Sequence, residues 1–328
     1  MRRMMLLVGA VVVVVGAVMA AGCGGGGTSG GKTEKAAPSL PAGEIVFTRT
    51  LKSGVRPSLY VMKPDGSRVR LLARDAAVAA VSRDGNRIAF ERGGGIWLMR
   101  RDGSEQKLLT RPKLTASGKP QYGPDGNPAW GRDGRTVFFD RSLQHADQER
   151  PERSEVFSIR DDGSDLKRLT KGTVCSKWFG AFNAAPSPDG RMIAYSCGDS
   201  DTIETITTGG RPVTLPFRLA SAISYHQFAE GSAAWAPDGK RLAFVAFDLT
   251  KNVYPPGDAS GLYVSAWGKS VARIATGGSG APAWSPDGAW IAFYRNGLWL
   301  IRSDGTGLQR LTRTTANDDD PVWLPRLP

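Results

Sequence analysis

From Ala42 onward, short apolar runs alternate with tight polar breaks, and the two recur together along the chain. The clearest stretch reads Pro282-Ala283-Trp284-Ser285-Pro286-Asp287-Gly288, then Ile291-Ala292-Phe293, then Leu298-Trp299-Leu300-Ile301, then Asp304-Gly305 and Leu311-Thr312. Each run has the length and make-up of a short strand. Each break carries turn residues: Pro presets φ, Asp bonds back to the backbone, and Gly accepts positive φ. Echoes begin at Ala80-Val81-Ser82-Arg83-Asp84-Gly85, Ala129-Trp130-Gly131-Arg132-Asp133-Gly134, Ala185-Pro186-Ser187-Pro188-Asp189-Gly190 and Ala234-Trp235-Ala236-Pro237-Asp238-Gly239. The turn glycines Gly85, Gly134, Gly190, Gly239 and Gly288 are spaced 49, 56, 49 and 49 residues apart.

Four strands per unit at this period predict propeller blades, and the stretch 42–328 accommodates six of them. The expected fold is all-β, a six-bladed propeller of four-stranded antiparallel blades. The first unit starts midway, at Glu44-Ile45-Val46-Phe47, while a spare Asp320-Pro321-Val322-Trp323 follows the last unit. The spare strand is expected to complete the first blade and close the ring, which removes the exposed edges of an open sheet.

The motifs Pro282 to Phe293, Ala234 to Gly239 and their echoes resemble the TolB-type propeller repeat, also called PD40 or WD40-like. The resemblance covers Glu44 to Trp323. Blade 1 departs most from the pattern, and blade 4 has Pro186 where Trp is usual, with a polar third strand at Ile203 to Ile206. The family implies a periplasmic or cell-surface propeller, often a protein-binding module.

Composition fits this reading. The 41 Gly and 21 Pro suit turns, and the nine Trp suit inter-blade packing, for which the fixed repeat places of Trp130, Trp235, Trp284 and Trp323 argue. Three Cys exclude a disulfide-dense scaffold or a four-cysteine zinc site, and two His leave little room for multi-histidine metal chemistry.

The first 41 residues read as an address and a spacer. Arg2 and Arg3 precede an apolar run from Met4 to Ala21, and Ala20-Ala21-Gly22 stands immediately before Cys23. This resembles a lipoprotein signal, with 1–22 removed and Cys23 the lipid attachment site; Ala20 stands where Leu is usual. The alternative is an uncleaved membrane anchor. Residues 23–41 are Gly-, Ser-, Lys- and Pro-rich, a flexible spacer. Within it GGTSGGKT and GTSGG match phosphate-loop and serine-elbow patterns, but neither has the strand-turn-helix context its chemistry requires. The expected location is the cell envelope, on the outer side of the cytoplasmic membrane or in the periplasm.

The turns of a blade fall on two faces. Every Ser-Pro-Asp-Gly-type turn and the Asp-Gly turns at 65–66, 102–103, 162–163 and 304–305 fall on one. The long insertions 50–58, 111–127, 140–155, 171–184, 218–232 and 248–261 fall on the other. That face is the expected binding face, since function concentrates on variable loops over a rigid scaffold. Candidate partner-binding residues there are Tyr122, His145, Trp178, Phe179, Phe182, Tyr225, His226, Phe228 and Tyr254, which alternatively pack under their own loops. Asp318-Asp319-Asp320 is expected just before the closing strand, at the channel mouth. With no D-x-D-x-D-G loop, it reads as strand capping rather than a calcium site, and Asp319 and Asp320 join the candidate partner-binding residues. Cys175 and Cys197 flank the first two strands of blade 4 and are expected to pair in an exported protein.

The formal charge of +12, with pI near 9.8, becomes +10 once Arg2 and Arg3 leave with the signal. An exported protein with scattered basic residues favours an anionic envelope partner or a protein over nucleic acid. The expected function is a monomeric, membrane-anchored, non-catalytic binding scaffold that needs no metal or cofactor. The alternative is a propeller hydrolase or lyase with its site at the channel mouth; its bases would have to be His145 or His226, which lie on separate blades.

Overall fold

The computed structural model describes residues 39–52, 54–111, 122–143, 153–171, 175, 180–197, 202–213, 223–224, 233–248, 260–266 and 271–327. They form six antiparallel sheets in a ring. Blade 1 joins Glu44–Thr50, Ser58–Met62 and Arg70–Ala73 to Asn317–Leu324, which pairs with Glu44–Thr50 as the innermost strand. The chain's last strand therefore closes the ring. Blades 2, 3 and 6 run inner to outer in chain order, beginning with Ala77–Val81, Tyr122–Trp130 and Ser279–Trp284. Two blades depart from four full strands. Among the described residues, blade 4 (Ala181–Pro186, Met192–Cys197, Thr202–Thr207) has the bridge Ile206 to Pro212 in place of a fourth strand. In blade 5, Ile223–Ser224 and Ala233–Trp235 share the inner position against Arg241–Asp248.

Six apolar clusters fill six seams, one between each pair of neighbouring blades. The second strand explains the arrangement, because successive side chains point to opposite faces of a sheet. In Ile88-Ala89-Phe90, the Ile and Phe face blade 1 and the Ala faces blade 3. The same alternation holds at Ile193-Ala194-Tyr195, Leu242-Ala243-Phe244 and Ile291-Ala292-Phe293. The small residue leaves room for the next blade's tryptophan: Ala89 with Trp130, Ala194 with Trp235, Ala243 with Trp284, and Ala292 with Trp323. Each indole N–H donates to the preceding blade, to the carbonyls of Ala80 (3.2 Å), Ala185 (3.0 Å), Ala234 (2.9 Å) and Ala283 (2.9 Å). Two seams lack the tryptophan, and both carry a larger facing residue: Val46 opposite Val81, and Phe138 on the seam of Pro186.

The Ser-Pro-Asp-Gly turns are locked by their own side chains. The Ser285 hydroxyl donates to Asp287 (2.5 Å) and accepts from the Trp290 N–H (2.9 Å), while Asp287 accepts from the Ala289 N–H (3.0 Å). Gly288 takes φ 68°, which only glycine adopts without strain. Such turns crowd together at the axis. A Cβ on Gly85 would lie 2.8 Å from the Pro325 ring. The Arg83 guanidinium of blade 2 reaches past blade 3 to the Pro188 carbonyl of blade 4 (2.9 Å), a chord across the axial opening on this face.

Candidate functional site

The opposite end of the axis is built from distortions of the inner strands. In five blades a residue just upstream of the Trp position takes positive φ: Val78, Asn127, Asn183, Gly280 and Asp320. Register shifts accompany these positions in blades 1, 2, 3, 4 and 6. Bulges re-aim backbone groups, and they concentrate beside functional sites. Here they line a central cavity of about 130 Å³.

The second strands supply what the bulges bind. The Val78 N–H donates to Thr48 Oγ1 (3.0 Å), the Asn127 N–H to Glu91 Oε1 (2.6 Å), and the Asn183 N–H to Asp140 Oδ2 (2.8 Å). Thr48, Glu91 and Asp140 are the middle residues of Phe47-Thr48-Arg49, Phe90-Glu91-Arg92 and Phe139-Asp140-Arg141. The motif's arginine is used as well. Arg49 makes a two-pronged contact with Asp318 (2.5 and 2.8 Å) and stacks on Phe47 and Tyr60. Arg141 repeats it with Asp125 (2.6 and 2.8 Å), over Phe139 and Phe157. Asp318 and Asp125 are both buried, so the fork geometry compensates charges withdrawn from water.

Asp140 differs from these pairs. Its Oδ2 takes both the Asn183 N–H and the Asn127 side-chain amide (2.8 Å), while its Oδ1 is buried without a hydrogen-bond partner. Burial pushes its carboxyl up to about 8, against the lowering effect of the Asn183 N–H, the Asn127 side-chain amide and the Ala184 N–H, and the Glu91 charge adds to the rise. Burial thus favours the neutral form of this carboxyl far more than at an exposed aspartate. Among the described residues no group of three His, Cys, Asp or Glu is placed to hold a metal ion.

The expected site residues divide. Cys23, His145, Trp178, Phe179, Tyr225, His226, Phe228 and Tyr254 lie outside the described residues. Tyr122 and Phe182 were expected on loops and are instead in inner strands, paired with Leu143 and Ser196. Strand pairing extends past the Trp position toward the loop face, so both loops are shorter than turn signals imply. The acidic run was expected before the closing strand but lies within it: Asp318 pairs with Arg49, Asp319 with Thr48, and Asp320 sits at the bulge. Asp318, with no exposed surface, is committed to Arg49 inside the ring, while Asp320 lines the central cavity. Cys175 and Cys197 form a disulfide, with Cα atoms 5.5 Å apart. The Phe-x-Arg endings of the second strands were the missed signal; they recur at the blade period in blades 1, 2, 3 and 6.

With blades, closure and channel in view, solved structures supply the comparison. The chain shares the six-bladed fold of TolB. Against the crystal structure of TolB from Acinetobacter baumannii the TM-score is 0.66, at 18% identity over 88% of this chain and 68% of TolB. The fold also matches a chain of the nidogen–laminin complex (TM-score 0.59, 11% identity, 85% of this chain and 97% of that one). An oligogalacturonate lyase from Vibrio parahaemolyticus matches at 0.54, with 10% identity over 83% of this chain and 80% of the lyase. No family model matches the sequence, and no curated protein does. TolB, the nidogen–laminin chain and the lyase share one ring, so the likeness fixes architecture and leaves chemistry to the site.

Proposed function

We propose that the protein is an exported, membrane-anchored propeller that binds a protein or an anionic component of the cell envelope on its loop face, without chemistry of its own. The carrying observation is the inequality of the two faces. One is drawn shut by interlocked turns and the Arg83 chord. The other holds the cavity, and the segments 112–121, 144–152, 225–232 and 249–259 are joined to strands that end there. The carboxylates Asp125 and Asp318 near the cavity are committed to arginines, which argues for structure over acid–base work. The nidogen–laminin complex supplies a precedent for a ring of this shape within a protein assembly. The apolar stretch before Cys23 supports export and anchoring.

A photo-crosslinking residue at position 145 and, separately, at Lys240 on the turn face tests this in intact cells. Discrete envelope adducts are expected from position 145 alone. A control excises 144–152. Leu143 and Arg153 are directly paired, so a two-residue turn can rejoin them. Buried Glu155, held by Arg168 (2.7 Å) and Thr170 (2.8 Å), keeps the hairpin base in place. Equal adducts from Lys240, or none from position 145, would overturn the assignment of the face.

A further inference from the structure

The blade 3–blade 4 seam has lost, together, the three side chains that plug its neighbour. In the blade 2–blade 3 seam, Arg87 lies over the Trp130 ring (4.8 Å to its centre), donates to the Gly134 carbonyl, and pairs with Asp161. The blade 5–blade 6 seam repeats the plug: Arg241 lies over Trp284 (4.6 Å) and bonds Gly288 and Ser303 (both 3.2 Å). One blade on from the first plug, the repeat puts Thr136 in place of Arg87, Pro186 in place of Trp130, and Thr208 in place of Asp161. Phe138 stands where Ala89 would and is packed in the seam core at 3% exposure, with an edge on the space above. What remains is an open cleft of about 520 Å³ whose lining includes Thr136, Phe138, Pro186 and Thr208.

We infer that this cleft is a binding site for a planar heteroaromatic group of indole size that bears an N–H donor. The other seams show what this backbone accepts. In four of them an indole lies between the blades with its N–H on the carbonyl of the residue before the preceding blade's Trp position. The carbonyl at that position here belongs to Ala129, and Pro186 brings no N–H to it. On the rim, Lys167 is paired with Asp165 (2.8 Å), and Arg132 donates to the Asp189 carbonyl (3.0 Å). Recognition rests on shape, packing against Pro186 and the exposed edge of Phe138, and a hydrogen bond to the Ala129 carbonyl. The site lies on the turn side of the ring, apart from the loop face, and does not depend on what binds there.

The test is fluorine NMR of 5-fluoroindole titrated with the purified full-length protein, with N-acetyl-tryptophanamide in a second arm. The first probe stands for a free small molecule, and the second for a partner's tryptophan side chain. Saturable broadening is expected with at least one, and which one binds identifies the source. Pro186→Trp and Thr136→Arg refill the cleft from opposite sides, and each is expected to weaken binding at least tenfold with its melting temperature unchanged or raised. Absence of saturable binding to the parent protein by both probes, or equal affinity in whichever refilled variant keeps its melting temperature, would overturn the assignment.

Discussion

Trp323 donates its indole N–H to the Ala283 carbonyl at 2.9 Å, which fixes the ring-closing strand Asn317–Leu324 against blade 6 by the same contact that Trp284 makes with Ala234. Like the other indole bonds it joins stretches that follow one another along the chain; the strand it holds in place is the one that pairs with Glu44–Thr50. Trp323→Ala removes a buried aromatic and leaves the Ala292 face unfilled, and is expected to cost about 3–5 kcal/mol. Urea denaturation measures the loss. Hydrogen exchange should show the earliest opening in Asn317–Leu324 and Glu44–Thr50.

The pairing of a small residue with a large one across each seam predicts an asymmetry. Ala243→Phe puts a ring where Trp284 already sits, and about 1–3 kcal/mol of overpacking is expected. A thermal scan that finds Ala243→Phe as stable as the parent would refute the packing rule.

Asp140 predicts a pH dependence. Its folded-state value of about 8 lies above that of an exposed aspartate, so between the two the folded chain holds a proton that the unfolded chain has released. Stability from this group is therefore complete below the unfolded value and declines as pH rises toward 8, by roughly 1.4 kcal/mol per pH unit. Asp140→Asn mimics the neutral acid. Its urea midpoint should match the parent only near pH 3, exceed it increasingly from pH 5 to pH 8, and change less across that window.

Arg49 and Asp318 form a pair in which the acid is fully buried and the base nearly so. Deleting one partner strands the other's charge, so Asp318→Ala is expected to cost about 3 kcal/mol or more. The double variant Arg49→Met with Asp318→Leu should recover part of this loss. A double-mutant cycle in denaturant gives the coupling directly.

Cys175 and Cys197 close a loop of sequence separation 22. In the chain-entropy model such a link contributes about 3 kcal/mol. The Cys175→Ser, Cys197→Ser variant should unfold at correspondingly lower urea, with the shift measured against the oxidised parent.

Much of this architecture is legible in the sequence because each blade must solve the same packing problem. The turn at Ser285-Pro286-Asp287-Gly288 and the tryptophan before it fix strand direction and seam at once. The spare strand ending in Trp323 follows from the count. The starts of inner strands were not legible. Residues 122–127 read as Tyr-Gly-Pro-Asp-Gly-Asn, strong turn chemistry, yet Asp125 and Gly126 pair with Arg141 and Asp140 because the neighbouring strand supplies partners that local preference cannot anticipate. The acidic run misled for a related reason: Asp318 looks solvated until folding brings Arg49 beside it from 269 residues away. The cleft at Pro186 was half visible. The missing tryptophan could be read, but its meaning required knowing that Thr136 and Thr208 face the same gap.

The pairing of Asn317–Leu324 with Glu44–Thr50 also sets a timetable for biogenesis. Blades 2 to 6 can assemble as their residues emerge, but blade 1 must wait with its inner edge bare until almost the whole chain has been made or delivered. Contacts so distant in sequence form late and slowly. During that wait, the unpaired edge of Glu44–Thr50 is the part of the molecule most in need of protection from other chains.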